Sequence, residues 1–167
     1  MSRTVTIDVD NQYLHFSAAH FTIFSATERE RLHGHNFTVR ARAEAPVGDN
    51  GMAFNYQLLK TRLRDICQQL DEYTLIAEDS PYLQIAQEGD YVAVTFNTEK
   101  MLLLRSDTLL LPVRNITSEE IGRYLIDQLR DTGLFDQLDI LRLQLDVGSG
   151  PGQRVTSEYI VDKSTGV

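Results

Sequence analysis

Three histidines fall where a metal site needs them. His33 and His35 are two residues apart. On a strand both imidazoles therefore leave one face, the apolar face of Phe37 and Val39. His20 shares the parity of Leu14, Phe16 and Ala18, the more apolar side of its own segment. If the two segments pair, the three rings converge on one side of a β-ribbon. Neutral imidazole is the usual ligand of zinc, and three of them with one open position make the arrangement of a catalytic centre. Iron or nickel accepts the same donors. The rival reading is three histidines that only pack. His15 has the opposite parity and is expected to face away, a bulge being the one device that reverses this.

Carboxylates flank the cluster in sequence. Glu28 and Glu30 precede His33, and Asp71 and Glu72 close the first helical pattern. A carboxylate beside a metal-bound hydroxyl can take its proton, and two neighbouring carboxylates push one pKa up, which suits acid–base work. An acidic loop residue is equally at home as a solvated charge. The chain offers no Ser-His-Asp set, no cysteine pair and no phosphate loop. Gly148 to Gly152 is glycine-rich, but no helix follows it, so a tight turn is expected.

Alternation predicts strands over residues 4–9, 13–20 and 36–44. Leu58, Leu59, Leu63, Ile66 and Leu70 mark a helix with Asn55 as its N-cap. Segments 91–96 and 101–105 read as a hairpin. Thr117-Ser118-Glu119-Glu120 has capping-box spacing ahead of a second helix. Leu141 to Val147 and Arg154 to Val161 read as two last strands. The order predicts an α+β fold: an antiparallel sheet with helices on one face, a ferredoxin-like sandwich being the alternative.

The 167 residues suit one domain. Acidic residues number 24 against 16 basic, a net charge of −8. That balance argues against nucleic acid or an anionic membrane as partner. One cysteine, Cys67, allows no internal disulfide, and no stretch is long and apolar enough to span a membrane. A cytoplasmic protein is expected.

Five segments in order, between about Tyr13 and Tyr159, resemble those of the 6-pyruvoyltetrahydropterin and 6-carboxytetrahydropterin synthase family. Phe16-Ser17-Ala18-Ala19-His20 is similar to the first zinc-ligand segment, and Leu32-His33-Gly34-His35-Asn36-Phe37 to HGHN(Y/F). Gly51 to Tyr56 resembles GM-x-x-D-(F/Y), Leu70-Asp71 opens an LDH-like motif, and Asn115 to Glu119 resembles N-P-T-(S/T)-E. The resemblance implies a four-stranded antiparallel sheet with two helices on one face, of the tunnelling-fold type. It implies edge-to-edge trimers, stacked hexamers and active sites between subunits, which would cover open sheet edges. It implies zinc on His20, His33 and His35, and a lyase acting on 7,8-dihydroneopterin triphosphate in pterin biosynthesis of the queuosine or folate kind. Thr117 and Ser118 would lie near the pterin.

Three departures qualify this. The usual base, a cysteine shortly before HGH, is absent. Glu30 stands three residues before His33, as in the branch with a catalytic glutamate. That branch releases a 6-hydroxymethyl product and carries an inserted hairpin, here about residues 88–112, with an LLLP segment matched by Leu109 to Pro112. Glu72 stands where the family has histidine, with Asp71 left to orient or share protons. Ser149 stands where a pterin-anchoring glutamate is expected, Asp146 being the nearest carboxylate. Two functions follow as expectations: a zinc-dependent lyase giving a 6-pyruvoyl, 6-carboxy or 6-hydroxymethyl pterin, or a zinc-containing pterin- or purine-binding homologue without that activity.

Overall fold

The computed structural model describes residues 3–162, so residues 1, 2 and 163–167 of the expected 1–167 unit lie outside the described residues. The elements are β1 (Thr4–Val9), β2 (His15–His20), β3 (His33–Pro46), α1 (Tyr56–Leu70), β4 (Tyr73–Ala77), β5 (Leu83–Glu88), β6 (Tyr91–Phe96), β7 (Glu99–Leu104), β8 (Thr108–Leu111), α2 (Ser118–Asp131), α3 (Leu134–Gln137), β9 (Arg142–Gly150) and β10 (Gln153–Ile160).

β3 organises the main sheet. One edge pairs antiparallel with β2, from His20 opposite His33 to His15 opposite Thr38, and then with β1, from Val9 opposite Ala41 to Thr4 opposite Pro46. The other edge takes β9, and β10 follows. Alternation explains the two faces. Phe37, Val39, Ala41, Ala43 and Ala45 are buried, while the residues between them are partly wet. Phe16 and Phe37 stack with centroids 4.9 Å apart. Against this face lie Leu59, Leu63, Ile66, Cys67 and Leu70 of α1, and Ile121, Leu125, Ile126 and Leu129 of α2. Leu58, counted in the helical stripe, is instead exposed.

Caps fix where both helices begin. The Asn55 side chain accepts the Gln57 N–H at α1. Thr117 accepts from Glu120 N–H at α2, but the Glu120 carboxylate turns outward to the Arg114 N–H rather than closing a reciprocal box.

The expected four-stranded antiparallel sheet is present and is extended. Among the described residues it has seven strands: β1, β2, β3, β9 and β10 pair antiparallel, and β4 and β8 are added in parallel beyond β2. The β2–β3 and β9–β10 hairpins are not the crossovers of a ferredoxin-like sandwich. β4 shows no alternation because both its faces are buried: Leu75 and Ala77 enter the main core, and Ile76 enters a second one. That second core is the inner side of a separate antiparallel sheet, β5-β6-β7, in which the expected hairpin gains β5 as a third strand. No described helix is long and apolar enough to cross a membrane.

Candidate metal centre

The β2–β3 register puts His20 directly across from His33, and His35 follows on the same face of β3. Ring centroids lie 4.8 Å apart for His20–His33, 5.3 Å for His20–His35 and 4.8 Å for His33–His35. Phe37, one step further, places its ring 5.3 Å from that of His20 and floors the cluster. His15 is exposed on the opposite face.

Backbone carbonyls set the tautomers. His20 Nδ1 meets the Ile116 carbonyl at 2.9 Å, and His33 Nδ1 meets the Arg31 carbonyl at 2.7 Å. A carbonyl only accepts, so each Nδ1 carries the proton and each Nε2 presents a lone pair. His33 Nε2 and His35 Nε2 stand 3.1 Å apart, and one ligating nitrogen from each histidine falls within 4.8 Å of the others. Tetrahedral nitrogens on one zinc lie about 3.4 Å apart. His20 is 4 % exposed, and among the described residues its Nε2 has no hydrogen-bond partner. A buried orphan acceptor is costly, and a cation shared by three such nitrogens removes the cost. The residues fit a metal ion. Burial, reinforced by His33 and His35, holds the His20 imidazole below its ordinary pKa despite the Ile116 carbonyl, so it is neutral and competent to ligate.

Glu30 reaches the cluster across the 21–31 loop. Its N–H donates to Thr22 O at 2.8 Å, and its Oε2 accepts the Thr22 N–H at 3.0 Å. The same oxygen lies 4.0 Å from His33 Nε2. Partial burial pushes its pKa up, but the Thr22 hydrogen bonds and His33 outweigh this, leaving it below the ordinary carboxylate range and ionised near neutrality.

The other expected residues sit on the elements around the imidazoles. Asp71 caps α1 and accepts the Ser17 N–H at 2.7 Å. Glu72 is exposed, with a left-handed φ of 65°, its N–H held by Ser17 O. Among the described residues no hydrogen bond or ion pair joins either to the cluster. Thr117 and Ser118 open α2 just after Ile116, whose carbonyl holds His20. Ser149 lies near the far end of β9. Asp146 is committed elsewhere: it takes Arg42 Nη2 at 3.0 Å through each oxygen and the Thr156 hydroxyl at 2.6 Å.

Asn115 supports the site in a way its spacing does not announce. Its Oδ1 accepts the N–H groups of Ile23 and Ile116, both at 3.1 Å, and its Nδ2 donates to Ile23 O at 2.8 Å. One amide thus ties the chain leaving His20 to the carbonyl that orients it. The sequence marks Asn115 only as the first residue of a family-like segment and says nothing of this clamp.

With this geometry in place, comparison with known proteins gives the class. The family model for 6-pyruvoyl tetrahydropterin synthase matches residues 11–158. A 6-pyruvoyl tetrahydropterin synthase crystal structure from Plasmodium vivax is 25 % identical, covering 95 % of this chain and 99 % of that one with a TM-score of 0.89. Two further structures of the P. vivax protein, each 24 % identical with a TM-score of 0.89 and covering 95 % of this chain and 99 % of that one, carry cysteine or alanine at a glutamate described as its catalytic residue. A Pyrococcus abyssi protein, provisionally named a 6-carboxy-5,6,7,8-tetrahydropterin synthase, is 24 % identical over 68 % of each chain. The chain belongs to the 6-pyruvoyl tetrahydropterin synthase family, whose enzymes are lyases of pterin biosynthesis.

Proposed function

We propose that this chain is a zinc-dependent lyase that breaks the side chain of 7,8-dihydroneopterin triphosphate. The observation that carries the reading is the buried, unpartnered Nε2 of His20 beside Nε2 of His33 and His35, with the Glu30 carboxylate 4.0 Å from His33. Zinc, held by these three nitrogens, would supply Lewis acidity, polarising side-chain oxygens and acidifying a hydroxyl. Glu30, ionised and outside the ligand set, receives the proton. The glutamate described as catalytic in the P. vivax protein supports this assignment. Thr117 and Ser118 contact the pterin. Asp71 and Glu72 contribute across a boundary between subunits, since among the described residues no hydrogen bond or ion pair joins them to the histidines, and Ser149 takes the pterin-anchor position. Among the described residues β8 and β10 end the sheet with unpaired outer edges, which supports a homo-oligomer, a trimer or hexamer.

The test is incubation of zinc-loaded protein with 7,8-dihydroneopterin triphosphate and separation of products by mass. A 6-hydroxymethyl product is expected; a 6-pyruvoyl or 6-carboxy product keeps the lyase and changes the branch. Glu30→Gln should keep its zinc and lose turnover, and unimpaired turnover removes Glu30 from the mechanism. The full engagement of Asp146 by Arg42 and Thr156 favours one alternative, a zinc-containing pterin- or purine-binding homologue, because no free carboxylate stands at the anchor position. Micromolar pterin binding with no product over hours would select it.

A further inference from the structure

Arg29 sits between the two halves of the structure, and the function above gives it no task. Its side chain is only 15 % exposed. The guanidinium carbon lies 5.3 Å from the ring centre of Phe21 and 5.5 Å from that of Phe96, so the planar group is sandwiched between two aromatic rings. Phe21 follows the ligand His20 in sequence, while Phe96 ends β6 in the smaller sheet. Both rings belong to the second core.

Its hydrogen bonds point the same two ways. Nη2 donates to Glu99 Oε2 on β7 at 2.7 Å, and Nη1 donates to the Glu30 main-chain carbonyl at 2.8 Å. Arg29 also forms a β-bridge with Ile23, beside the Thr22–Glu30 bonds that aim the Glu30 carboxylate. The path is continuous: β6 and β7 hold the guanidinium, the guanidinium holds the Glu30 backbone, and that backbone delivers the carboxylate to His33. A fork of rigid donors between two rings fixes position more tightly than a flexible ammonium does.

We infer that Arg29 is a positioning residue for Glu30, and that the β5-β6-β7 sheet acts on the metal site through it. The inference rests on the reading of Glu30 as the base. Placement within an ångström governs proton transfer, so loosening the 28–31 segment lowers turnover without removing a reacting group.

The experiment is a double-mutant cycle on the zinc-loaded protein with 7,8-dihydroneopterin triphosphate. Arg29→Gln should lose on the order of 10- to 100-fold in kcat, with KM changed by less than about 3-fold and zinc content intact. Glu30→Gln should lose more. The double variant should be no slower than Glu30→Gln, because a positioning residue has nothing to position once the carboxylate is gone. Hydrogen exchange gives a readout without turnover: amides 28–31 should exchange at least about 10-fold faster in Arg29→Gln, with β2 and β3 unchanged. Full kcat in Arg29→Gln, losses that multiply in the double variant, or unchanged exchange overturns the inference. Wild-type turnover in Glu30→Gln instead overturns the base assignment on which it stands. Should Arg29→Gln fold poorly, Glu99→Gln carries the test, since Glu99 is 68 % exposed and its loss spares the core. A kcat lowered by about 3-fold at unchanged melting temperature supports the link to the sheet, and an unchanged kcat overturns it.

Discussion

Replacing Asn115 with alanine should cost far more than a loop substitution usually does. Its amide makes three hydrogen bonds, two to Ile23 and one to the Ile116 N–H. Ile23 is 6 % exposed, so its freed N–H and C=O cannot turn to water. Leaving the Ile23 N–H and C=O buried and unpaired costs about 1–3 kcal/mol each, so about 2–6 kcal/mol in all. At about 2–4 °C per kcal/mol for a domain of this size, the melting temperature should fall by about 4–24 °C. Urea unfolding followed by circular dichroism measures the loss directly. Asn115→Asp sharpens the argument. It keeps an acceptor for the Ile23 N–H but sets a charged oxygen against the Ile23 carbonyl, so its own pKa is raised by folding. Its stability deficit should shrink as pH falls through that raised pKa, where the protonated carboxyl can donate. A loss below about 0.5 kcal/mol for Asn115→Ala, in the range of ordinary surface substitutions, would refute the clamp.

Three further outcomes follow from packing and charge. A Cβ on Gly122 would meet Oγ of Ser157 and lie 3.0 Å from its Cβ, so Gly122→Ala should destabilise by about 1–2 kcal/mol in urea despite alanine's better helix propensity. Burial pushes the Cys67 thiol up to about 12, so Ellman's reagent should find no reactive thiol in native protein and one per chain in denaturant. Burial raises the Glu120 carboxyl, but the Arg114 N–H and Arg123 outweigh it and hold the pKa below the ordinary range. Its stabilisation, about 0.5–1 kcal/mol, is therefore present above the unfolded value and lost as pH falls through the folded one. Glu120→Gln should be less stable than wild type at pH 7 and equal to it near pH 2, by thermal melts at each pH.

Where one face of an element is wet, its pattern was readable. The parity of His33, His35 and Phe37 was legible because β3 buries one face along the main core, and the caps at Asn55 and Thr117 have side chains that suit few other local roles. β4 was not legible, because two cores bury it from both sides and erase the period. β5 escaped because its alternation is weak, with only Leu83 and Ile85 partly covered. Asn115 and Arg29 were invisible as supporting residues for another reason. Their partners lie 92 and 70 positions away, at Ile23 and Glu99, a separation that no local spacing encodes.

The long third strand has one more consequence. It supplies His33 and His35 and then, on the same side, Phe37, Val39, Ala41, Ala43 and Ala45. Ligands and core share a single parity, so an insertion or deletion of one residue between Asn36 and the neighbouring strands' pairing would rotate one set out while leaving the other in. Chemistry and folding are thereby locked into one reading frame along the strand. This stretch can vary in side-chain size but not in length, and lineages of such proteins are expected to accept their insertions elsewhere, in the loops that β3 does not set.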